Sequence, residues 1–214
     1  MTSKLLARFK TKQPVQRARL KVNWFSRIGA PLLRVTILGS PAIHLRLRRL
    51  ADLKPGQKVL ELAAGPVPYH RFWESKLGPE GQLVVSDIDS GIMRASKRLS
   101  SKPKFRKTPR KSFAAIDLNR LPIDSDVLDR IVLISPFGFA HSSQGFKESF
   151  RALKPGGKVV LFHLAEFIDE GMPIPTKPSK ENENRAKSVG FEIVKSGLFF
   201  SPYPHQYLVA KKPG

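Results

Sequence analysis

The feature that most constrains the fold is a series of short, almost wholly apolar runs separated by helical patterns. Five such runs lie in the middle of the chain, at 58–63, 82–87, 113–117, 130–134 and 158–163. Apolar residues recur with a helical period between them, over about 69–77, 90–100 and 143–153. Short apolar strands that alternate with helices are typical of a parallel sheet covered on both faces.

The end of the chain departs from this alternation. Residues 180–189 are predicted as a helix that Gly190 ends, and two strands, 191–194 and 206–210, follow on either side of a proline-rich loop. Two strands with no helix between them are expected to pair antiparallel. We therefore predict an α/β fold, a Rossmann-like sheet of seven mostly parallel strands with an antiparallel last strand and helices on both faces. Residues 51–214 form this domain, and a basic, partly amphipathic extension, 1–50, precedes it.

Three residues lie at the carboxyl ends of predicted strands, where open α/β sheets bind their ligands. Gly65 follows the first strand, Asp87 ends the second and Asp117 ends the third. A glycine turn lets a ligand approach the backbone, and an acid about twenty residues later can accept hydrogen bonds from ribose hydroxyls. The acid after the third strand can bind the exocyclic amine of a base. This set predicts a ligand that contains adenosine.

Four segments also carry a resemblance to a known family, at 59–65, 86–93, 117–122 and 153–158. In this order and spacing, residues 50 to 214 resemble the class I S-adenosylmethionine-dependent methyltransferases. The nearest group is the ubiquinone/menaquinone-biosynthesis methyltransferase-like (type 11) group. The resemblance implies methyl transfer with S-adenosyl-L-methionine as cofactor. The cofactor-binding residues that it implies are Glu61, Ala63, Gly65, Asp87, Ile88, Asp117, Leu118 and Ser135.

The turn after Gly65 departs from the family pattern, which continues with a small residue and a further glycine. Here Val67 stands at that glycine position, and a β-branched residue does not readily adopt positive φ. Pro66 and Pro68 stiffen the turn and remove two amide donors. We expect the turn to follow another path around the cofactor. Two alternatives therefore remain: an active enzyme and a relative that does not bind the cofactor. A dinucleotide-binding enzyme would need two more glycines here.

Methyl transfer is an in-line displacement, which requires alignment above all and a base only if the acceptor holds its proton. His141, beyond the fourth strand, is the candidate base because histidine titrates near neutral pH. A structural loop histidine is the alternative interpretation. Tyr69 and His70 are expected to pack near the cofactor, and His163 is a further candidate to face the pocket. His44 and His205 are expected at the surface, and no metal site is predicted.

The charge is the strongest feature of the composition, with 38 basic and 17 acidic residues and a net charge of +21. Basic residues concentrate in 1–50, which holds no acid, and in 94–111. We expect these two segments to contact a polyanion. Apolar and aromatic residues at 24–38 favour an anionic membrane surface and a hydrophobic or lipid-like acceptor. The alternatives are an rRNA or tRNA methyltransferase and a non-catalytic methyltransferase-fold protein bound to a ribonucleoprotein.

Location follows from the same features. The amino-terminal residues lack the apolar core of a secretory signal, and no apolar run is long enough to span a bilayer. We expect a cytoplasmic protein that is either free or peripheral on a membrane. An organelle presequence is the alternative, because the first residues are basic and poor in acids.

Overall fold

A computed structural model describes residues 41–65, 69–100, 109–134, 143–164, 180–200 and 204–214. The predictions for residues 1–40, and those for Val67, Ser135 and His141, lie outside these ranges. No helix within them is long and apolar enough to cross a membrane.

The described residues form seven strands and four α-helices. The strands are β1 (Lys58–Leu62), β2 (Gln82–Asp87), β3 (Arg110–Ala115), β4 (Leu128–Ile134), β5 (Leu153–Leu164), β6 (Glu192–Phe200) and β7 (Pro204–Lys211). The helices are α1 (Pro41–Ala51), α2 (Ser90–Ser100), α3 (Ser143–Ala152) and α4 (Glu181–Ser188). Two short 3-10 helices, Tyr69–Phe72 and Glu74–Leu77, lie between β1 and β2.

All seven strands belong to one sheet, in the order β3-β2-β1-β4-β5-β7-β6. The pairs among β1 to β5 are parallel, and β7 runs antiparallel to both of its neighbours. The predicted fold class is therefore confirmed, including the antiparallel last strand. The strand order reverses between β1 and β4, so the carboxyl ends of β1, β2 and β4 flank the position where such sheets bind ligands.

Each face of the sheet is covered by its own apolar layer. Helix α1 and the 3-10 segment cover one face through residues such as Leu47, Trp73 and Leu77, and α3 and α4 cover the other through Phe146 and Ala186. The central strands are buried on both sides, which explains why their sequences are almost continuously apolar.

Helix α1 packs on the sheet as part of the core. Ile43, Leu47 and Leu50 are buried in the layer that it covers. The guanidinium of Arg46 donates to the Tyr207 hydroxyl on β7 at 3.0 Å and lies over that ring at 4.7 Å. The division of the chain after residue 50 stays a prediction, and α1 runs across that position.

Three sequence predictions of local structure were wrong. The helix expected over 69–77 is two 3-10 helices, because Trp73 at their junction leaves helical geometry with φ −130°. Strand β3 begins at Arg110 and not at residue 113, because this edge strand carries polar side chains and lacks an apolar run at its start. His205 is not at the surface: it is 2% exposed and stacks on Phe162, with ring centres 5.0 Å apart.

Candidate cofactor site

The turn after β1 is tied to the end of β2. Gly65 adopts φ +61°, and its amide N–H donates to Asp87 Oδ2 at 3.0 Å. The neighbouring Ala64 N–H donates to the Ser86 carbonyl at 2.9 Å, and the Ser86 hydroxyl donates to the Glu61 carbonyl at 2.8 Å. These bonds bring the glycine turn and the second-strand acid to one point at the carboxyl edge of the sheet.

Asp87 also begins the turn that leads into α2. Its Oδ1 accepts the Asp89 N–H at 3.0 Å, and Asp89 Oδ1 in turn accepts the N–H groups of Gly91 at 2.6 Å and Ile92 at 3.2 Å. Asp89 thus caps the first turn of the helix through orphan amide groups. Asp87 is held by two amides, and a carboxylate has about four acceptor positions, so two remain for a ligand.

Asp117 lies beside Asp87 at the same edge. The N–H of Ile116 donates to the Asp87 carbonyl at 2.9 Å, which links the segment after β3 to the end of β2. Asp117 is exposed, and its Oδ1 accepts both the backbone N–H and the side-chain amide of Asn119, at 2.8 and 3.1 Å. The other carboxylate oxygen, Oδ2, is thereby left for a ligand on this side.

The apolar residues predicted for the site surround these acids. Ile88 is 45% exposed directly after Asp87, and Leu118 is half-buried directly after Asp117. Ala63 adopts φ +51°, which is unusual for a residue with a side chain and marks a tightly bent segment before Gly65.

Glu61 is placed differently from the other predicted contacts. Its side chain is fully buried, and its Oε2 lies 2.9 Å from His70 Nδ1. The other ring nitrogen of His70, Nε2, lies 2.9 Å from the Ser100 hydroxyl at the end of α2. Burial, followed by the charge of Glu61, raises the pKa of the adjacent Tyr69 hydroxyl. Glu61, Ala63, Gly65, Asp87, Ile88, Asp117 and Leu118 therefore lie on the elements that bound this edge, and their roles as cofactor contacts stay predictions.

The site fits an adenosyl group on its own geometry. A Cβ built on Gly65 would meet no atom of the described residues within 4 Å, so none of these residues fills the space at this position. Asp87 is oriented by amides and retains acceptor positions, and the exposed Ile88 side chain offers an apolar surface next to it. Two carboxylates with open acceptor positions and an exposed apolar side chain next to one of them are the groups that could receive the ribose hydroxyls, the amine and the ring face of an adenosine.

A second polar group lies at the same edge of the sheet, on the side of β5. His163 directly follows Phe162, which pairs with Ile134, the last residue of β4. His163 Nε2 is 3.4 Å from the Asn182 amide nitrogen at the start of α4, and Asn182 is 6% exposed. This is the side on which the acceptor is expected, together with Ser135 and His141, which lie outside the described residues.

Sequence reasoning did not identify Ser86, Asp89 and Ser100 as residues that support the site. Asp89 has a recognisable signal, because an aspartate followed by small residues at the start of a helical pattern indicates an N-cap. Ser100 has none, since it is 30 residues from His70.

The strand order and the paired acids at the switch point together define a class I S-adenosylmethionine-dependent methyltransferase. The model of the ubiE/COQ5 methyltransferase family matches residues 44–177. The chain belongs to the ubiE/COQ5 methyltransferase family. The sequence prediction of this class is confirmed as to family, and S-adenosylmethionine is the cofactor of the class.

Individual proteins agree with this assignment. A ubiquinone/menaquinone biosynthesis C-methyltransferase of Methylococcus capsulatus is 27% identical, over 76% of this chain and 66% of its own length. A methyltransferase of Aquifex aeolicus superposes with a TM-score of 0.65 at 16% identity, over 83% of this chain and 96% of the other. Phosphoethanolamine N-methyltransferase 2 of Haemonchus contortus, in complex with S-adenosyl-L-methionine, superposes with a TM-score of 0.66 at 15% identity, over 90% of this chain and 59% of the other. At these identities the two structures show the fold alone.

The chain spans only part of the curated relatives that it matches, from 43% to 66% of their length in the first of them. Their substrates therefore do not pass directly to this chain.

Proposed function

We propose that this chain transfers a methyl group from S-adenosylmethionine to a hydrophobic or lipid-like acceptor at a membrane surface. The observation that carries the enzymatic part is the convergence of Gly65, Asp87 and Asp117 at the switch point of the sheet. S-adenosylmethionine supplies, when bound, a methyl group activated by a positively charged sulfur.

The contribution of the protein is to bind and orient. Asp87 would accept the ribose hydroxyls with the carboxylate positions that Gly65 and Asp89 leave open. Asp117 would accept the adenine amine, and Ile88 would cover a face of the ring and exclude water. Orientation of this kind is the main source of rate in a displacement that needs no obligatory base.

The relatives support a hydrophobic acceptor, because they are C-methyltransferases of ubiquinone and menaquinone biosynthesis. The acceptor would lie over the carboxyl ends of β4 and β5, where His163 and Asn182 present polar groups. His141 remains the proposed base for an acceptor that enters with its proton.

The exposed face of α1 supports the membrane part of the proposal. Leu45 is 53% exposed, and Arg48 and Arg49 follow it three and four positions later on the same face. With Lys76, Leu53 and the acid Asp52 they line a cavity of about 320 Å³. Asp52 is paired with Arg130 and Lys158, so the three cations beside Leu45 leave this surface suited to an anionic lipid, where each cation contributes about 1 kcal/mol.

Vesicle flotation tests this surface. The wild-type protein is expected to float with vesicles that contain phosphatidylglycerol, and the Arg48→Glu/Arg49→Glu variant is expected to lose this binding. Neither protein should float with neutral vesicles. The control Lys187→Glu/Lys195→Glu makes the same charge change at exposed residues of α4 and β6, and it should still float. Equal recovery of both variants would contradict the proposed surface. Salt-sensitive RNA binding without lipid binding would favour an RNA substrate instead.

Methyl transfer is tested with S-adenosylmethionine that carries a labelled methyl group and membrane lipid extract as acceptor. The proposal predicts label in the organic phase. Label in added RNA would contradict a lipid-like acceptor and favour an RNA methyltransferase. No binding of S-adenosylmethionine at millimolar concentration would favour the non-catalytic alternative.

A further inference from the structure

Three buried polar side chains form a hydrogen-bonded chain directly beneath the cofactor turn. Glu61 and His70 are 0% exposed and Ser100 is 5% exposed. His70 lies between the other two, at 2.9 Å from each. We call this group the Glu61–His70–Ser100 relay. Burial of a carboxylate is costly unless a partner compensates it, so such a group requires a structural or functional reason.

The direction of the relay follows from the chemistry of its members. An ionised carboxylate only accepts hydrogen bonds, so the Nδ1–H of His70 donates to Glu61. In the neutral ring Nε2 then accepts the Ser100 hydroxyl proton. For a neutral ring this arrangement corresponds to the tautomer with its proton on Nδ1.

The relay joins the elements that form the site. Glu61 is in β1, four residues before Gly65, His70 begins the segment after the turn, and Ser100 ends α2. The start of α2 is bound to Asp89, which is itself bound to Asp87. Gly65 is therefore fixed by Asp87 and His70 by the relay, at the two described positions that flank residues 66–68.

The sequence of the turn explains why a relay of side chains is needed there. Pro66 and Pro68 have no amide hydrogen, so two positions of this short segment cannot donate to the backbone around them. Gly65 and His70 are the described residues at which this segment of the chain is fixed. His70 is the anchor on the far side.

We propose that His70, oriented by Ser100, is a positioning residue that fixes β1 to the end of α2 and thereby keeps Gly65 and Asp87 in place for S-adenosylmethionine. This inference rests on the proposed function, because that function places the cofactor at this turn. His70 is buried and has no role as a base in it.

Substitutions at His70 separate its two bonds. Asparagine places an amide near Nδ1 and can keep the bond to Glu61, whereas glutamine places one near Nε2 and can keep only the bond to Ser100. We expect His70→Ala and His70→Gln to weaken the binding of S-adenosylhomocysteine by about tenfold or more, and His70→Asn by less, as titration calorimetry would measure.

Ser100→Ala tests the second half of the relay, with Ser149→Ala as its control. Ser149 is also fully buried in a helix, and its hydroxyl has no hydrogen-bond partner within the described residues. We expect weaker cofactor binding from Ser100→Ala and none of that loss from Ser149→Ala. Equal affinities in all folded variants would overturn the proposal.

Amide exchange in the full chain without ligand distinguishes failure of this inference from failure of the proposed function. His70→Ala should accelerate exchange of the Gly65 amide by about tenfold and leave the amides of β4 unchanged. Ring ¹⁵N shifts should show a proton on Nδ1 in the wild type. If the wild type bound no cofactor, the proposed function would fail, and unchanged Gly65 exchange would separately refute the role of His70.

Discussion

The amide of Gly65 and the carboxylate of Asp87 are 22 residues apart in the chain and 3.0 Å apart in space. Their bond holds the turn after β1 against the end of β2 and orients the acid that the proposed function assigns to ribose. The same carboxylate accepts the Asp89 amide and so also positions the start of α2. One side chain thus organises both walls of the site.

Asp87→Asn is expected to reduce affinity for S-adenosylmethionine by about tenfold to a hundredfold, because hydrogen bonds to charged groups contribute about 1.5–3 kcal/mol. The amide side chain keeps the size of the acid and loses one acceptor oxygen. Titration calorimetry measures the effect, and Asp126→Asn, an exposed acid at the opposite edge of the sheet, is the control. Unchanged affinity of the Asp87 variant would remove this residue from the site.

Asp117→Ala should have a smaller effect than Asp87→Asn, because Asp117 is exposed and solvent competes for its hydrogen bonds. The specific prediction concerns recognition of the adenine ring. Wild-type protein should prefer S-adenosylhomocysteine to S-inosylhomocysteine, which has a carbonyl in place of the amine, and Asp117→Ala should reduce that preference. Competition binding measures the ratio. A preference that persists in the variant would mean that another group reads the amine.

Lys111→Met should destabilise the fold by about 3–5 kcal/mol, because it leaves a buried carboxylate without its partner. Lys111 Nζ lies 2.6 Å from Glu74 Oε2, and the Glu74 side chain is 1% exposed. The double variant Lys111→Met/Glu74→Leu should recover much of the loss, and Lys76→Met, at an exposed lysine, should change little. Urea unfolding measures all three. A single variant as stable as the wild type would show that the Lys111–Glu74 ion pair does not stabilise the fold.

Glu148 should make the stability depend on pH in acid. The hydrogen bond from Arg151 lowers the pKa of this carboxyl below its ordinary value of 4.5, with help from the Leu121 amide and against the effect of burial. A group with a lowered folded pKa stabilises the protein above its unfolded pKa and loses that effect as the pH falls through the folded value.

Glu148→Gln should therefore lower the free energy of unfolding at pH 7. The difference in free energy of unfolding between the variant and the wild type should become smaller below about pH 4.5. Urea unfolding across this range measures the difference. Glu80→Gln, at an exposed acid, serves as the control. A difference that stays constant with pH would show that Glu148 acts through packing and not through charge.

The elements that the sequence predicted well are those whose environment is uniform along their length. Strand β2 and helix α2 have the bounds that the patterns indicated, because β2 is buried on both faces and α2 begins at a capped turn. Asp87 ends β2 and Asp117 follows its parallel neighbour, the edge strand β3, so their convergence could be inferred from the topology of a parallel sheet alone.

The errors have a common physical origin in contacts between distant parts of the chain. Tyr69, Trp73 and Leu77 recur with a helical period, yet the segment forms two 3-10 helices that are interrupted at Trp73, and its His70 is bonded to Glu61 on the distant strand β1. His205 reads as a surface residue, but β7 lies between β5 and β6 and buries it. Neither contact leaves a signal in local sequence.

The most direct test of the central claim is a crystal structure of the full chain grown with S-adenosylhomocysteine at millimolar concentration. The account predicts adenosyl density at the carboxyl edge of the sheet, with the ribose hydroxyls on Asp87 and the adenine amine near Asp117. Density elsewhere, or a site that stays without ligand while Asp87 keeps its bond to Gly65, would contradict it.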